Sequence, residues 1–97
     1  MEGNCAVCGR YAHLDRHHVV GRIGPDKDKP ENLIRICRDC HRQWHDYPTH
    51  DMERKIYRTM KAKYGDTFPI QINGKPYKPK WVIRAEESEQ GNANTER

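Results

Sequence analysis

The chain has 97 residues, enough for one small domain, and only 34% of them are hydrophobic while 33% are charged. These proportions exclude a large apolar core, so we expect a metal site or disulfides to supplement it. The net charge of +4 favours a polyanionic partner, although a solvated Lys/Arg surface would give the same charge. No stretch approaches the roughly 18 apolar residues of a membrane span, and nothing resembles a signal peptide, so we expect a reducing cytoplasm and no membrane partner.

The first feature along the chain is a pair of Cys-x-x-Cys motifs, Cys5/Cys8 and Cys37/Cys40, separated by 28 residues. Four cysteines could form two disulfides or one metal site, and close pairs interleaved with histidines favour a structural zinc ion. In small peptides such an ion contributes roughly 10–16 kcal/mol at neutral pH, which could supply what a thin core lacks. A redox protein is the weakest interpretation, because thiol exchange needs neither two pairs nor several histidines.

Two antiparallel strands are predicted between the cysteine pairs. A short strand is indicated at residues 18–20, a Gly/Pro-rich loop follows it, and a second strand is indicated at residues 33–36. Because neighbouring side chains on a strand face opposite ways, His17 and His18 can serve different functions. Asn32, at the start of the second strand, would then face His18 at the end of the first.

Two helices are predicted after the second cysteine pair. The first covers Arg38–Asp46 and places His41 and His45 four residues apart on one face, where two imidazoles can bind one ion. The second runs from a cap at residues 49–51 to a stop at Gly65, with an apolar residue at every fourth position.

The C-terminal part of the chain predicts a small hairpin with Asn73-Gly74 as its type I′ turn. Residues 81–83 are expected to pack back on the body. Residues 86–97 contain four Glu and one Arg, which predicts a disordered acidic tail. We therefore expect a single domain over residues 1–85, with its motif core at residues 5–46.

The residues from Cys5 to His45 resemble the HNH endonucleases, the ββα-metal (His-Me finger) nucleases that include colicin DNases, homing endonucleases and many phage enzymes. The matching residues occur together in the family's order: Cys5, Cys8, His17, His18, Glu31, Asn32, Leu33, Ile34, Cys37, Cys40, His41 and His45. Together with the predicted elements, the resemblance implies an α+β fold. Its parts are a small ββα-metal domain with a structural four-cysteine zinc site, a further helix and a short C-terminal hairpin.

The resemblance also implies a role for each polar side chain of the motif. His18 resembles the general base that takes a proton from water, and Asn32 resembles the residue that fixes the ring of that base. His17 and His41 resemble ligands of a catalytic divalent ion, which could be Mg²⁺, Mn²⁺, Ni²⁺ or Zn²⁺. His45 resembles the additional ligand of those members that have a three-histidine site.

Three further side chains near the motif have candidate functions. Arg22 in the loop and Arg42 on the first helix could bind a DNA phosphate, although Arg22 could equally be a mobile loop cation. Asp15 would share a strand face with His17, so it could orient that ring, bind metal or remain a solvent-exposed acid.

The predicted function is hydrolysis of DNA phosphodiester bonds to 5′-phosphate and 3′-hydroxyl ends, by nicking or by double-strand cleavage. The short form with two cysteine pairs resembles small phage enzymes, which implies a bacterial host cell and a link to terminase or other packaging proteins. A non-catalytic zinc module that binds nucleic acid is the alternative, but it leaves the histidines and Asn32 unexplained. A degenerate HNH domain kept as an assembly part is a further alternative.

Overall fold

The computed structural model describes the backbone of residues 1–21, 24 and 27–95, and the side chains of these residues up to 89. Its strands and helices are, in chain order, β1 (Glu2–Asn4), β2 (Tyr11–His18), β3 (Leu33–Cys37), α1 (Arg38–Asp46), α2 (His50–Tyr64), β4 (Gln71–Ile72), β5 (Lys75–Pro76) and α3 (Lys80–Thr95). This α+β arrangement confirms the predicted fold class. None of the described helices is long and apolar enough to cross a bilayer.

A three-stranded antiparallel sheet, in the order β1-β2-β3, leads directly into α1, and β2, β3 and α1 form a ββα unit. Strand β3 and helix α1 confirm the predicted positions. The strand predicted at residues 18–20 was misplaced, because β2 ends at His18. Val19 and Val20 lie beyond its end and are buried, so their apolar character reflects core packing and not strand pairing.

Helix α2 begins and ends where its capping residues predict. Thr49 is the N-cap, and its Oγ1 accepts a hydrogen bond from the amide of Met52 at 3.2 Å. Gly65 follows the last helical residue with a φ of 58°, in the region that favours glycine. One face of the helix buries Met52, Ile56 and Met60 in the core, as the four-residue spacing predicts.

The hairpin of β4 and β5 has the predicted type I′ turn, since Asn73 and Gly74 have φ values of 57° and 80°. The chain leading into it is anchored by Phe68, which is 1% exposed. After the hairpin, Trp81 packs edge-on against Trp44 of α1, with ring centroids 5.0 Å apart. The segment at residues 81–83 therefore does pack back on the body.

Helix α3 continues through the segment where the acidic composition predicted a disordered tail, residues 86–97, of which the last two lie outside the described part. Two of its acids are paired within the fold. Glu86 accepts hydrogen bonds from Lys78 at 3.1 Å, and Glu89 accepts one from Arg58 at 3.1 Å. Basic partners on neighbouring segments thus compensate two of the four glutamates that suggested disorder.

The core joins the sheet to α2 and α3, and Ile36, Phe68 and Val82 are each at most 1% exposed. A charged side chain, that of Glu53 on α2, is also buried there at 3% exposure. Its carboxylate accepts a hydrogen bond from Nη2 of Arg84 at 2.8 Å, while the guanidinium itself is half exposed. A buried carboxylate requires a donor of this kind, so the pair fastens α3 to α2.

We expect Arg84→Ala to lower the free energy of unfolding by about 1–3 kcal/mol, because it leaves the buried Glu53 carboxylate without its charged donor. The matched control is Arg58→Ala, which breaks an ion pair with the more exposed Glu89 and should cost at most about 1 kcal/mol. Urea unfolding followed by circular dichroism measures both losses. Equal losses in the two variants would show that the buried Glu53 depends on its charged partner no more than the more exposed Glu89 does.

Candidate functional site

Four cysteines from two separate parts of the chain form one cluster, here called the sulfur cluster: Cys5, Cys8, Cys37 and Cys40. Their sulfur atoms all lie within 4.8 Å of one another, and the sulfurs of Cys8 and Cys37 are 3.8 Å apart. Four thiolates around one zinc ion, each about 2.3 Å from it, would be roughly 3.8 Å apart. The four cysteines are therefore positioned to bind a metal ion.

Backbone amides of the first cysteine turn point at its sulfur. The amides of Val7 and Cys8 donate to Sγ of Cys5 at 3.3 and 3.4 Å. Burial alone would raise the pKa of the Cys5 thiol, but hydrogen bonds from backbone amides outweigh it and lower this pKa to about 6. Burial and the neighbouring thiols raise the pKa of Cys40. Four adjacent thiols cannot all ionise without a cation among them, and this donor set suits zinc.

Three imidazoles form a second group, here called the histidine cluster: His17 from β2, and His41 and His45 from α1. Their ring centroids are 5.2 Å apart for His17 and His41, 5.0 Å for His41 and His45, and 6.3 Å for His17 and His45. Imidazoles that share one ion through nitrogens about 2.1 Å from it have centroids roughly 5 Å apart. Two of the three distances have this value, whereas among the described residues only the four cysteines have all their ligand atoms within 4.8 Å of one another.

His17 is the buried member of this cluster, at 4% exposure. Burial first, and then the neighbouring rings of His41, His45 and His18, lower the pKa of His17 to about 4, so its ring is neutral at pH 7. Its Nε2 is buried and has no hydrogen-bond partner among the described residues. A neutral imidazole with an unpaired, buried nitrogen is suited to binding a metal ion.

Asp15 lies two residues before His17 on β2, and its side chain contacts His41 of α1. Its Oδ2 is 3.2 Å from Nδ1 of His41 and 3.9 Å from Nε of Arg38. A carboxylate in this position fixes the orientation and tautomer of the ring, as second partners of metal-binding histidines do. The sequence predicted that Asp15 shares a strand face with His17. It could not show that α1 brings His41 into contact with the Asp15 carboxylate.

His18 ends β2 and pairs with a carboxylate from the loop. Its Nε2 is 2.8 Å from Oδ1 of Asp28. The hydrogen bond to His18, followed by the contact with Lys27, lowers the pKa of Asp28 below its usual value. The two residues are ten positions apart across an irregular loop, and no local sequence pattern indicates the contact.

Asn32 is fully buried and makes three hydrogen bonds to the loop that follows His18. Its Oδ1 accepts from the amide of Val20 at 2.9 Å, and its Nδ2 donates to the carbonyls of Gly21 at 3.0 Å and Lys27 at 2.8 Å. The resemblance implied a contact with the ring of His18, but the described hydrogen bonds of the Asn32 side chain all go to the backbone. Asn32 thus holds the loop residue that precedes Asp28, the partner of the His18 ring.

An open pocket of about 510 Å³, here called the histidine pocket, collects most of the predicted site. It is lined by Arg16, His17, His18, Gly21, His41 and His45. Of the two arginines predicted to bind phosphate, Arg42 is exposed on α1 and is not part of this lining, and Arg22 lies outside the described residues. Arg16 lines the pocket instead. In the sequence, only its position next to His17 could have indicated a role for Arg16. Because neighbouring strand residues face opposite ways, that position gave no reason to select it.

Comparison with known proteins gives one match. The model of the HNH endonuclease family matches residues 5–47. No curated protein and no solved structure matched the chain. The matched segment covers 43 of the 97 residues and carries both the sulfur cluster and the histidine cluster.

Proposed function

We propose that this protein is a divalent-metal-dependent HNH endonuclease that hydrolyses DNA phosphodiester bonds. The observation that carries the proposal is the meeting of His17, His18, His41 and His45 at one pocket, inside the segment matched by the family. The buried, unpaired Nε2 of His17 supports it further, because a purely structural histidine would have a hydrogen-bond partner.

In this proposal the sulfur cluster holds a structural zinc ion. The ion ties the turn between β1 and β2 to the junction of β3 and α1. It thereby fixes the helix that carries His41 and His45 against the strand that carries His17. Zinc binding would then contribute to the folding of the domain and to the geometry of the histidine cluster at the same time.

His17, His41 and His45 would hold the catalytic ion, and Asp15 would orient His41 through its Nδ1. When bound, the divalent ion stabilises the charge of the transition state and of the leaving 3′ oxygen. Imidazole ligands favour transition metals such as Zn²⁺ or Ni²⁺, with Mn²⁺ and the oxygen-preferring Mg²⁺ as the other candidates.

His18 would act as the general base that takes a proton from the attacking water. Asp28, at 2.8 Å from Nε2, would orient the ring and stabilise the imidazolium that forms, which leaves Nδ1 as the nitrogen that accepts the proton. Asn32 would support the pair of His18 and Asp28, because its Nδ2 binds the backbone carbonyls of Gly21 and Lys27 at the two ends of the intervening loop. As the family resemblance implies, the products would be a 5′-phosphate and a 3′-hydroxyl. A phage origin and a link to DNA packaging rest on the same resemblance.

We expect His18→Ala to lower the rate of plasmid cleavage by about 10²–10⁴-fold, the usual contribution of a general base. DNA binding and zinc content should not change. The matched control is His13→Ala, which removes an exposed imidazole from the same strand. Nicking of supercoiled plasmid is measured with each of Mg²⁺, Mn²⁺, Ni²⁺ and Zn²⁺. Cleavage by His18→Ala at the wild-type rate would refute the assignment, and absence of cleavage by the wild type would favour the non-catalytic alternative.

We expect Cys37→Ser to lose its zinc and to unfold, since the roughly 10–16 kcal/mol of a structural zinc site is comparable with the whole stability of a small domain, about 5–15 kcal/mol. Ala6→Ser is the matched control, because it adds a hydroxyl to the first cysteine turn and keeps all four thiols. Metal analysis should give one zinc per chain for the control, and circular dichroism should show a folded chain. A folded Cys37→Ser chain without zinc would contradict the structural role.

A further inference from the structure

Two arginines lie directly opposite one another on neighbouring strands of the central sheet. Arg16 of β2 and Arg35 of β3 are direct partners in the antiparallel register, and both are exposed. Like charges directly opposite one another destabilise a strand pair. The neighbouring pairs on the same face are Leu14 with Cys37 and His18 with Leu33, so the strands place no carboxylate beside the arginines.

The surroundings do not neutralise this pair either. No ion pair to Arg16 or Arg35 occurs among the described residues. Both side chains line a pocket of about 490 Å³, here called the arginine pocket, to which α2 contributes Thr59 and Lys63. The described lining of this pocket contains no acidic residue. Two strands and a helix thus bring three cations to one open cavity.

The arginine pocket adjoins the histidine pocket. Arg16 lines both of them, and the side chain of His18 lies on the same sheet face as Arg16 and Arg35, two register pairs away. An anionic chain whose reacting phosphate lies at the histidines would therefore pass over these cations.

We propose that the arginine pocket is a second phosphate site, which binds a backbone phosphate of the DNA strand beside the one that reacts. The identity of this ligand rests on the proposed nuclease function. Guanidinium groups bind phosphate oxygens through paired N–H donors, and Lys63 adds a third positive charge. Such contacts position the DNA without reading its sequence. The bound phosphate would also offset the repulsion between the two arginines.

The test uses Arg35→Gln, because Arg35 lines the arginine pocket but not the histidine pocket. Binding of a fluorescent DNA duplex to the zinc-loaded His18→Ala protein is measured by anisotropy over a range of salt concentrations. We expect Arg35→Gln to weaken binding several-fold and to reduce the slope of log affinity against log salt by about 1, and Arg16→Gln/Arg35→Gln to reduce it by about 2. The matched control, Lys75→Gln, removes one exposed positive charge from the C-terminal hairpin and should leave the slope unchanged.

Thermal unfolding gives a second readout that does not depend on DNA. Without added anion, Arg35→Gln should raise Tm by about 1–4 °C, because it removes the repulsion with Arg16. Inorganic phosphate should raise the Tm of the wild type more than that of Arg35→Gln. If phosphate raises Tm equally in Arg35→Gln and Lys75→Gln, the response is a general effect of charge on folding, and this result would contradict a phosphate site at Arg35.

The possible failures can be told apart. If Arg35→Gln binds DNA with the affinity and salt slope of Lys75→Gln, the second phosphate site is refuted, whether or not the wild type cleaves DNA. If Arg35 affects binding as expected but the wild type cleaves no plasmid with any ion, the phosphate site stands and the nuclease proposal fails. If the protein binds no DNA at low salt, both proposals fail.

Discussion

The sulfur cluster is the contact on which the arrangement of the site depends. Cys5 and Cys8 lie in the turn between β1 and β2, Cys37 ends β3, and Cys40 lies in the first turn of α1. These contacts supplement a small apolar core, because only 34% of the residues are hydrophobic. That core is continuous from Ile36 of the sheet to Phe68 and Val82. The fold thus combines a small core with a site that can hold a metal ion.

The histidine cluster follows from the same contact, because His41 is the next residue after Cys40, and His45 lies one helical turn further on. Once the junction at Cys37 and Cys40 is fixed, both rings must face β2, where His17 is buried. A buried imidazole nitrogen without a hydrogen-bond partner is unfavourable for folding, so folding alone gives no reason for His17 at this position. The contacts among the sulfurs therefore set the positions of the strands and of α1. This arrangement holds the histidines together, although the unpaired nitrogen of His17 lowers the stability of the fold.

Features determined by short spacings could be predicted from the sequence. The four-cysteine cluster, the helix Arg38–Asp46, the capped helix α2 and the Asn73-Gly74 turn all depend on residues within a few positions of one another or on one repeated motif. Contacts across irregular chain could not be predicted, and the pairing of His18 with Asp28 is the clearest case. Composition misled at Val19 and Val20, which are apolar because they are buried, and the segment after residue 85 does not by itself reveal the pairs that Glu86 and Glu89 form.

These acidic pairs also change the meaning of the net charge. Three acids of α2 and α3 are bound by bases near the C-terminal helix, as Glu53 with Arg84, Glu86 with Lys78 and Glu89 with Arg58. Arg16 and Arg35 have no such partner among the described residues, so two of the cations that remain available lie at the arginine pocket, which adjoins the histidine pocket. Screening limits attraction between charges to about 8 Å at physiological salt. The position of the uncompensated cations, more than the total of +4, therefore decides where a polyanion approaches. Glu86 and Glu89 are each held by a base of a neighbouring segment, so these two acids do not compete for those cations.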